Sequence, residues 1–407
     1  MTLRKSSASR DFNPLFFSLA HGASAFAYEF LTFFMTLHLY DLTASALDMG
    51  ILLAVSFVPR LFSPFYGALT DRLPQNTSFA SACLLAAISV VLLAGQRSPS
   101  GIYAAWFITS TLAMVILNLR TAIMTRVMPG KRFVGANSLA LILLNVARLA
   151  APSCAALLAR NQSPTLILSV AATTYLLAAI TAAQLRFPCG NAASPSKAEN
   201  ARASLWNGLK TIRRTRDLAT LAGIAIIWRL CLGFQGALMI VYVKQGLGGS
   251  AAEFAAISIA AALGSIAGGA IGPLVVRRCS PHQVVLIGLN LHFVLVAAFG
   301  FISDYPVALI NAFTANLVLY SAVVAVHSIR DVVTDRSIRG RVFGCITALT
   351  GAPALVSMLL GGLLADRWGI RPVFIAGGIT AVVACFPLFL LARHAIQTSH
   401  TLISQQP

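Results

Sequence analysis

From Leu73 to Gln96 the chain carries no charged residue, and from Leu218 to Val243 it carries one, Arg229. Runs of this kind recur along almost the whole sequence. Crossing the hydrocarbon layer of a bilayer takes about 20 apolar residues in a helix, and such a helix satisfies its own backbone hydrogen bonds where no water can. Of the 407 residues, 57% are hydrophobic and only 10% are charged, whereas a soluble domain carries about 25% charged residues. There is no material here for the polar shell of a water-soluble fold. A disordered chain, a secreted disulfide scaffold and an ordinary cytosolic enzyme are therefore excluded, which leaves an all-α membrane protein.

Helices are expected at about 14–40, 47–70, 77–96, 101–125, 133–159 and 163–186, and again at about 218–243, 251–276, 282–301, 305–328, 339–365 and 370–391. That gives twelve transmembrane helices in two six-helix bundles. The expected division is residues 1–186, a cytoplasmic linker over 187–217, and residues 218–407. The linker contains Pro188, Gly190 and Pro195 and ends in the basic run Lys210, Arg213, Arg214 and Arg216. Its second part, Ser204 to Thr215, reads as a short amphipathic helix on the membrane surface. The first apolar segment is too long for a signal-peptide core and lacks a convincing cleavage site, so it is expected to stay as a helix.

Lys and Arg total 30 against 12 Asp and Glu, a formal charge of +18. In a soluble chain this would suggest nucleic acid. Here the basic residues collect in the loops, so no nucleic-acid partner is expected. With the N-terminus inside, 21 basic residues fall in inner tails and loops, five in outer loops and four within helices. That bias puts both termini in the cytoplasm. The seven cysteines are scattered and mostly apolar in setting, and the histidines form no metal-ligand spacing. No metal or cofactor is expected.

The halves echo one another. After the second helix the chain reads Gly67-Ala-Leu69-Thr-Asp71-Arg72, and after the eighth Gly272-Pro-Leu274-Val-Val276-Arg277; Lys131-Arg132-Phe-Val-Gly135 and Gly340-Arg341-Val-Phe-Gly344 precede the fifth and eleventh. Such repetition suggests a duplicated transporter fold. The sequence resembles the major facilitator superfamily of secondary transporters, whose signature between helices 2 and 3 looks like Gly67, Leu69, Asp71 and Arg72. Within it the chain resembles the bacterial macrolide-efflux and siderophore-exporter subgroup, on Ala136-Asn137, Asn145, Arg148 and Pro152, and on Arg339-Gly340-Arg341 with Gly361-Gly362-Leu-Leu-Ala365-Asp366. The resemblance implies an inner-membrane carrier that exchanges organic compounds for protons, with some relatives working in uptake.

Ionisable groups inside hydrocarbon are expensive and default to functional candidates. Glu29 stands alone as an acid midway along the first helix and is the expected proton-coupling residue. Arg60, Arg120, Arg148 and Arg229 lie within helices 2, 4, 5 and 7. One carboxylate cannot neutralise four guanidiniums, so an anionic solute is expected to meet at least some of them, together with Asn118, Asn145 and Gln235. Bracing against backbone carbonyls and snorkelling to the interface are the alternatives for these arginines. A relay from His21 to Glu29 is a further option, weighed against packed histidines. Gly67, Asp71 and Arg72, with Asp331, Asp335, Arg336, Arg339 and Arg341, are expected to form inner gates whose contacts make and break, or else solvated, topology-setting loops.

No Walker loop, kinase set, dinucleotide fingerprint or nucleophile elbow stands in a suitable context. The chain is therefore expected not to be an enzyme or an ATP-driven pump. The expected function is proton-coupled export of an organic, carboxylate-bearing solute such as a siderophore by a monomer surrounded by membrane lipids. A broad drug or macrolide efflux pump, a siderophore importer and a non-transporting ligand sensor are the alternatives.

Overall fold

The computed structural model describes residues 13–62, 65–66, 70, 73–127, 131–159, 163–185, 209–333 and 339–385. Its elements are helical throughout. In chain order they are α1 Asn13–Thr43, α2 Ala46–Leu61, α3 Gln75–Ala94, α4 Pro99–Val127, α5 Lys131–Ala159, α6 Pro164–Ala183, α7 Arg216–Val241, α8 Ala251–Arg278, α9 Pro281–Ala298, α10 Tyr305–Val333 and α11 Arg339–Trp368. A shorter apolar helix, α12, follows at Ile370–Cys385.

Eight helices among the described residues are long and apolar enough to cross a membrane: α3 to α8, α10 and α11. Two more, in α9 and α12, are apolar but shorter over their described parts. The protein is thus an all-α, multi-span membrane protein, and among the described residues fewer than the twelve expected spans meet the length and apolarity of a crossing helix. The reason is local. The apolar run of α1 is diluted by His21, Tyr28, Glu29 and His38, while α2 is 16 residues long and contains Pro59. Large apolar side chains point outward, among them Val91, Leu157 and Ile287. In water they would form an extended sticky surface; in lipid they are the expected exterior. Many hydroxyls on the spans donate back to their own helices, as Thr111 does to the Phe107 carbonyl, which keeps the O–H satisfied in hydrocarbon.

Helix ends follow local chemistry. Ser250 and Glu253 form a reciprocal capping box on α8, and Ser280 and Gln283 do the same on α9. α7 runs into a π turn, Tyr242–Gly246, of the kind often found at functional positions.

Residue contacts divide the chain into two units. The first is Met1–Thr32, Phe62–Ala151 and Gln162–Ser196; the second is Phe33–Leu61, Pro152–Asn161 and Lys197–Pro407. In the first, α3 packs on α4 and α6. In the second, α8 and α9 pack on α10, and α11 packs on both α7 and α2. The glycine stripe of α8 explains its close approach to α10. A Cβ at Gly264 would collide with the Phe313 carbonyl oxygen, and one at Gly268 with that of Leu317, so only glycine lets the backbones meet.

The expected amphipathic linker helix is present at 209–214; residues 204–208 lie outside the described residues. Lys210, Arg213 and Arg214 are exposed. Its buried Ile212 packs with Leu218, Ala222 and Cys345, so its apolar side rests on α7 and α11 rather than in lipid.

Candidate functional site

Two arginines expected in the transport site face α1 within the first unit. Arg148 of α5 donates from Nε to Glu29 Oε1 at 3.1 Å. The side chains are 47% and 28% exposed, respectively, so the pair is open enough to be invaded by a ligand. The Arg148 Nη groups have no protein partner among the described residues. About two turns back along α1, Arg120 of α4 approaches His21, with Nη1 3.4 Å from Nε2. Both are buried. Tyr28 stacks on Trp106 with ring centroids 5.9 Å apart, so α1 and α4 run antiparallel and touch at two levels. Tyr175 of α6 has a buried hydroxyl without a hydrogen-bond partner among the described residues.

The expected relay from His21 to Glu29 is thus divided: each of the two has its own arginine. Asn118 does not join Arg120, because its amide donates to the Met114 carbonyl one turn back. Asn145 is half-buried on α5.

The other two arginines belong to the second unit. Arg60 is exposed, its guanidinium carbon 5.4 Å from the Phe57 ring centroid. Arg229 lies over Trp228 at the same distance. No carboxylate forms an ion pair with either among the described residues. Gln235 is buried, and its Oε1 lacks a hydrogen-bond partner among the described residues. Phe234 packs edge-on against Phe374 and presses close to Gly361 and Gly377, a packing role. Beside these lies an apolar cavity of about 370 Å³ lined by Leu230, Phe234, Leu360 and Trp368. Among the described residues no group of three or more His, Cys, Asp or Glu could hold a metal ion.

Of the expected gate residues, Gly67, Asp71, Arg72, Asp335 and Arg336 lie outside the described residues, as do the side chains of Asp331, Arg339 and Arg341. What sequence reasoning missed is a polar junction within the second unit. Asp366, at the end of α11, accepts from the backbone N–H of Ala46 at 2.7 Å, from that of Leu47 at 3.0 Å and from the Ser45 hydroxyl at 2.9 Å. It caps the N-terminus of α2, where orphan N–H groups and the helix dipole favour an anion. The π turn adds Lys244, whose Nζ is 3.2 Å from Asp41, and Gln245, which donates to the Ala44 carbonyl at 3.5 Å. Ala44 itself holds a left-handed φ of 51°, turning α1 into α2. One signal was available: Gly362, Leu364, Asp366 and Arg367 repeat the spacing of Gly67, Leu69, Asp71 and Arg72.

The sequence profile of the Major Facilitator Superfamily matches residues 17–328. No curated protein matches the chain. Solved structures share its fold. A point mutant of the nucleoside transporter NupG is 13% identical, with a TM-score of 0.81 over 93% of this chain and 99% of that one. A bacterial homologue of the human lysosomal transporter Spinster, inward-facing and unoccupied, is 14% identical, with a TM-score of 0.74 over 95% and 98%. A bacterial homologue of the iron transporter ferroportin, inward-facing, is 16% identical, with a TM-score of 0.71 over 94% and 99%.

Proposed function

The chain belongs to the Major Facilitator Superfamily, and from that premise we propose that it is a proton-coupled carrier of a carboxylate-bearing organic solute, with siderophores the first class to test. Membership makes it a secondary transporter of a small organic solute rather than an enzyme. The further reading rests on one observation, the open Arg148–Glu29 pair. A carboxylate arriving at Arg148 competes with Glu29 for the same guanidinium. Protonating Glu29 withdraws that competitor, so proton and anion favour one another, and the preference is reciprocal. This sign supports cotransport, and hence uptake down an inward proton gradient. Export in exchange for protons, the direction expected from sequence and from the exporter subgroup, needs the opposite sign. Broad drug or macrolide efflux fits less well, because a lipophilic cation would add charge to an arginine excess.

The remaining roles follow from this reading. Arg60, Arg120 and Arg229, with Asn118, Asn145 and Gln235, contribute to the solute path. Residues 1–186 and 218–407 act as two six-helix bundles that rock about a central site, joined by 187–217. The Asp366 cap and the Lys244–Asp41 pair hold α2 and α1 of the first half to α11 and α7 of the second, and release them in the alternate state. Asp71 and the charged group from Asp331 to Arg341 would serve the opposite face. The 21-to-5 basic bias supports a bacterial inner-membrane protein with both termini in the cytoplasm; labelling of Lys197 from the inner face alone would agree.

The solute's charge is tested by ligand competition on purified, folded protein. Arg148→Gln is expected to weaken a labelled carboxylate siderophore about tenfold or more, the loss of a hydrogen bond to a charged group, and to leave a neutral macrolide unchanged. Unaltered siderophore binding, with a parent protein that prefers lipophilic cations, would contradict the anion reading and bring drug efflux forward.

A further inference from the structure

Arg120 holds its charge in a costly place. The residue is 9% exposed, its Nε has no hydrogen-bond partner among the described residues, and its one polar contact among them is the long approach of Nη1 to His21. The ion pairs found among the described residues are Arg148–Glu29 and Lys244–Asp41, so no carboxylate among them neutralises it. A guanidinium cannot discharge itself by losing its proton, and a buried charge without a counter-charge is strongly unfavourable. A bracing arginine would settle on backbone carbonyls, as Arg371 does by donating to the Gly246 carbonyl and the Ser303 hydroxyl. Arg120 makes no such bond among the described residues.

We propose that Arg120 and His21 form an oxyanion-binding subsite between α1 and α4, which receives a carboxylate or phosphate group of the transported solute. The proposal rests on the organic-anion reading above and adds a second anchor to Arg148, with His21 as a positioning residue. The guanidinium can only donate, so the His21 Nε2 facing it is the acceptor and the ring is neutral, with its proton on Nδ1. The ring also stacks against Phe17, with centroids 6.5 Å apart. His21 thus steadies one arm of the guanidinium while Nε–H stays unbonded. An oxyanion is the ligand whose two oxygens match the Nε and Nη2 donors together; it would bond that edge of the guanidinium while Nη1 stays on the imidazole. The Tyr28–Trp106 stack joins the same two helices at a second level, farther along both.

The test uses the full chain in detergent, with citrate and inorganic phosphate as probes and both calorimetric affinity and thermal midpoint as readouts. Citrate, phosphate or both are expected to bind the parent and raise its midpoint; which one does so identifies the group as carboxylate or phosphoryl. Arg120→Gln should remove most of this binding, leaving only what Arg148 supplies. Arg120→Lys, which keeps the charge but loses the fork, should weaken it about tenfold. His21→Leu should weaken it while His21→Gln, which keeps an acceptor, restores part. If Arg120→Gln does not fold, Arg120→Lys decides: parental affinity in that folded variant overturns the proposal. Parental binding by Arg120→Gln, or a parent that binds neither probe, also overturns it. The coupling reading fails separately. If Arg120→Gln loses anion binding while Glu29→Gln still drives accumulation, the subsite stands and the Glu29 role falls; the reverse pattern removes the subsite and keeps the coupling.

Discussion

Glu29→Gln is expected to abolish pH-driven accumulation of solute while leaving solute counterflow intact. The amide still accepts from Arg148 Nε but cannot gain or lose a proton, so the variant carries solute without carrying the coupling ion. With one proton per cycle, a pH difference of one unit sustains about a tenfold concentration ratio in the parent. In the variant that ratio falls to unity at the same protein abundance. Counterflow exchanges labelled for unlabelled solute with no net proton movement, so it separates lost coupling from lost binding. A tenfold gradient-driven ratio in proteoliposomes of Glu29→Gln would remove Glu29 from the coupling role.

Asp366→Asn is expected to open the junction between α2 and α11. The carboxylate serves three donors at once, and an N-cap of this kind contributes about 0.5–2 kcal/mol, with about 0.3–1 kcal/mol more from the helix dipole. Asparagine keeps an acceptor but loses the charge. Since about 1.4 kcal/mol is a factor of ten in an equilibrium constant, the open population should rise roughly tenfold. Lys244–Asp41 is a partly exposed pair and contributes little alone, about 0–1 kcal/mol, so Asp366→Asn with Lys244→Gln should go further. Leu42 and Trp368 are exposed near the junction and suit spin labels in a background without native cysteines. The parent should give one short distance, and the variant a second, longer one. Identical distributions would show that Asp366 caps α2 without controlling its release.

The spans were legible where length and apolarity alone decide them. The expected 77–96, 251–276 and 305–328 coincide closely with α3, α8 and α10. The seventh helix also runs as expected, but its π turn was not visible, since nothing in Tyr242–Gly246 distinguishes an i+5 bond from an ordinary helix end. The functional candidates were legible as isolated ionisable residues in apolar runs. Their pairing was not. Glu29 and Arg148 are 119 positions apart, and which of four arginines meets the one acid depends on helix packing that no local pattern encodes. The bond from Asn118 to its own helix was not legible for the same reason: nearness in sequence to Arg120 does not say where an amide finds its acceptor. Asp366 entered only as the last residue of the Gly361–Asp366 motif, and its capping role was not legible because its partners lie at the start of another helix. Only its repeated Gly-x-Leu-x-Asp-Arg spacing hinted at more.

The central claim is that proton and organic anion bind together, and its sign can be read directly. Purified protein in weak buffer with a pH-sensitive dye is mixed with a carboxylate siderophore near neutral pH, where the ligand's own carboxylates stay ionised. Proton uptake from solution is expected, up to about one proton per bound ligand by reciprocity, and none in Glu29→Gln. Proton release on binding would contradict it and restore export by exchange.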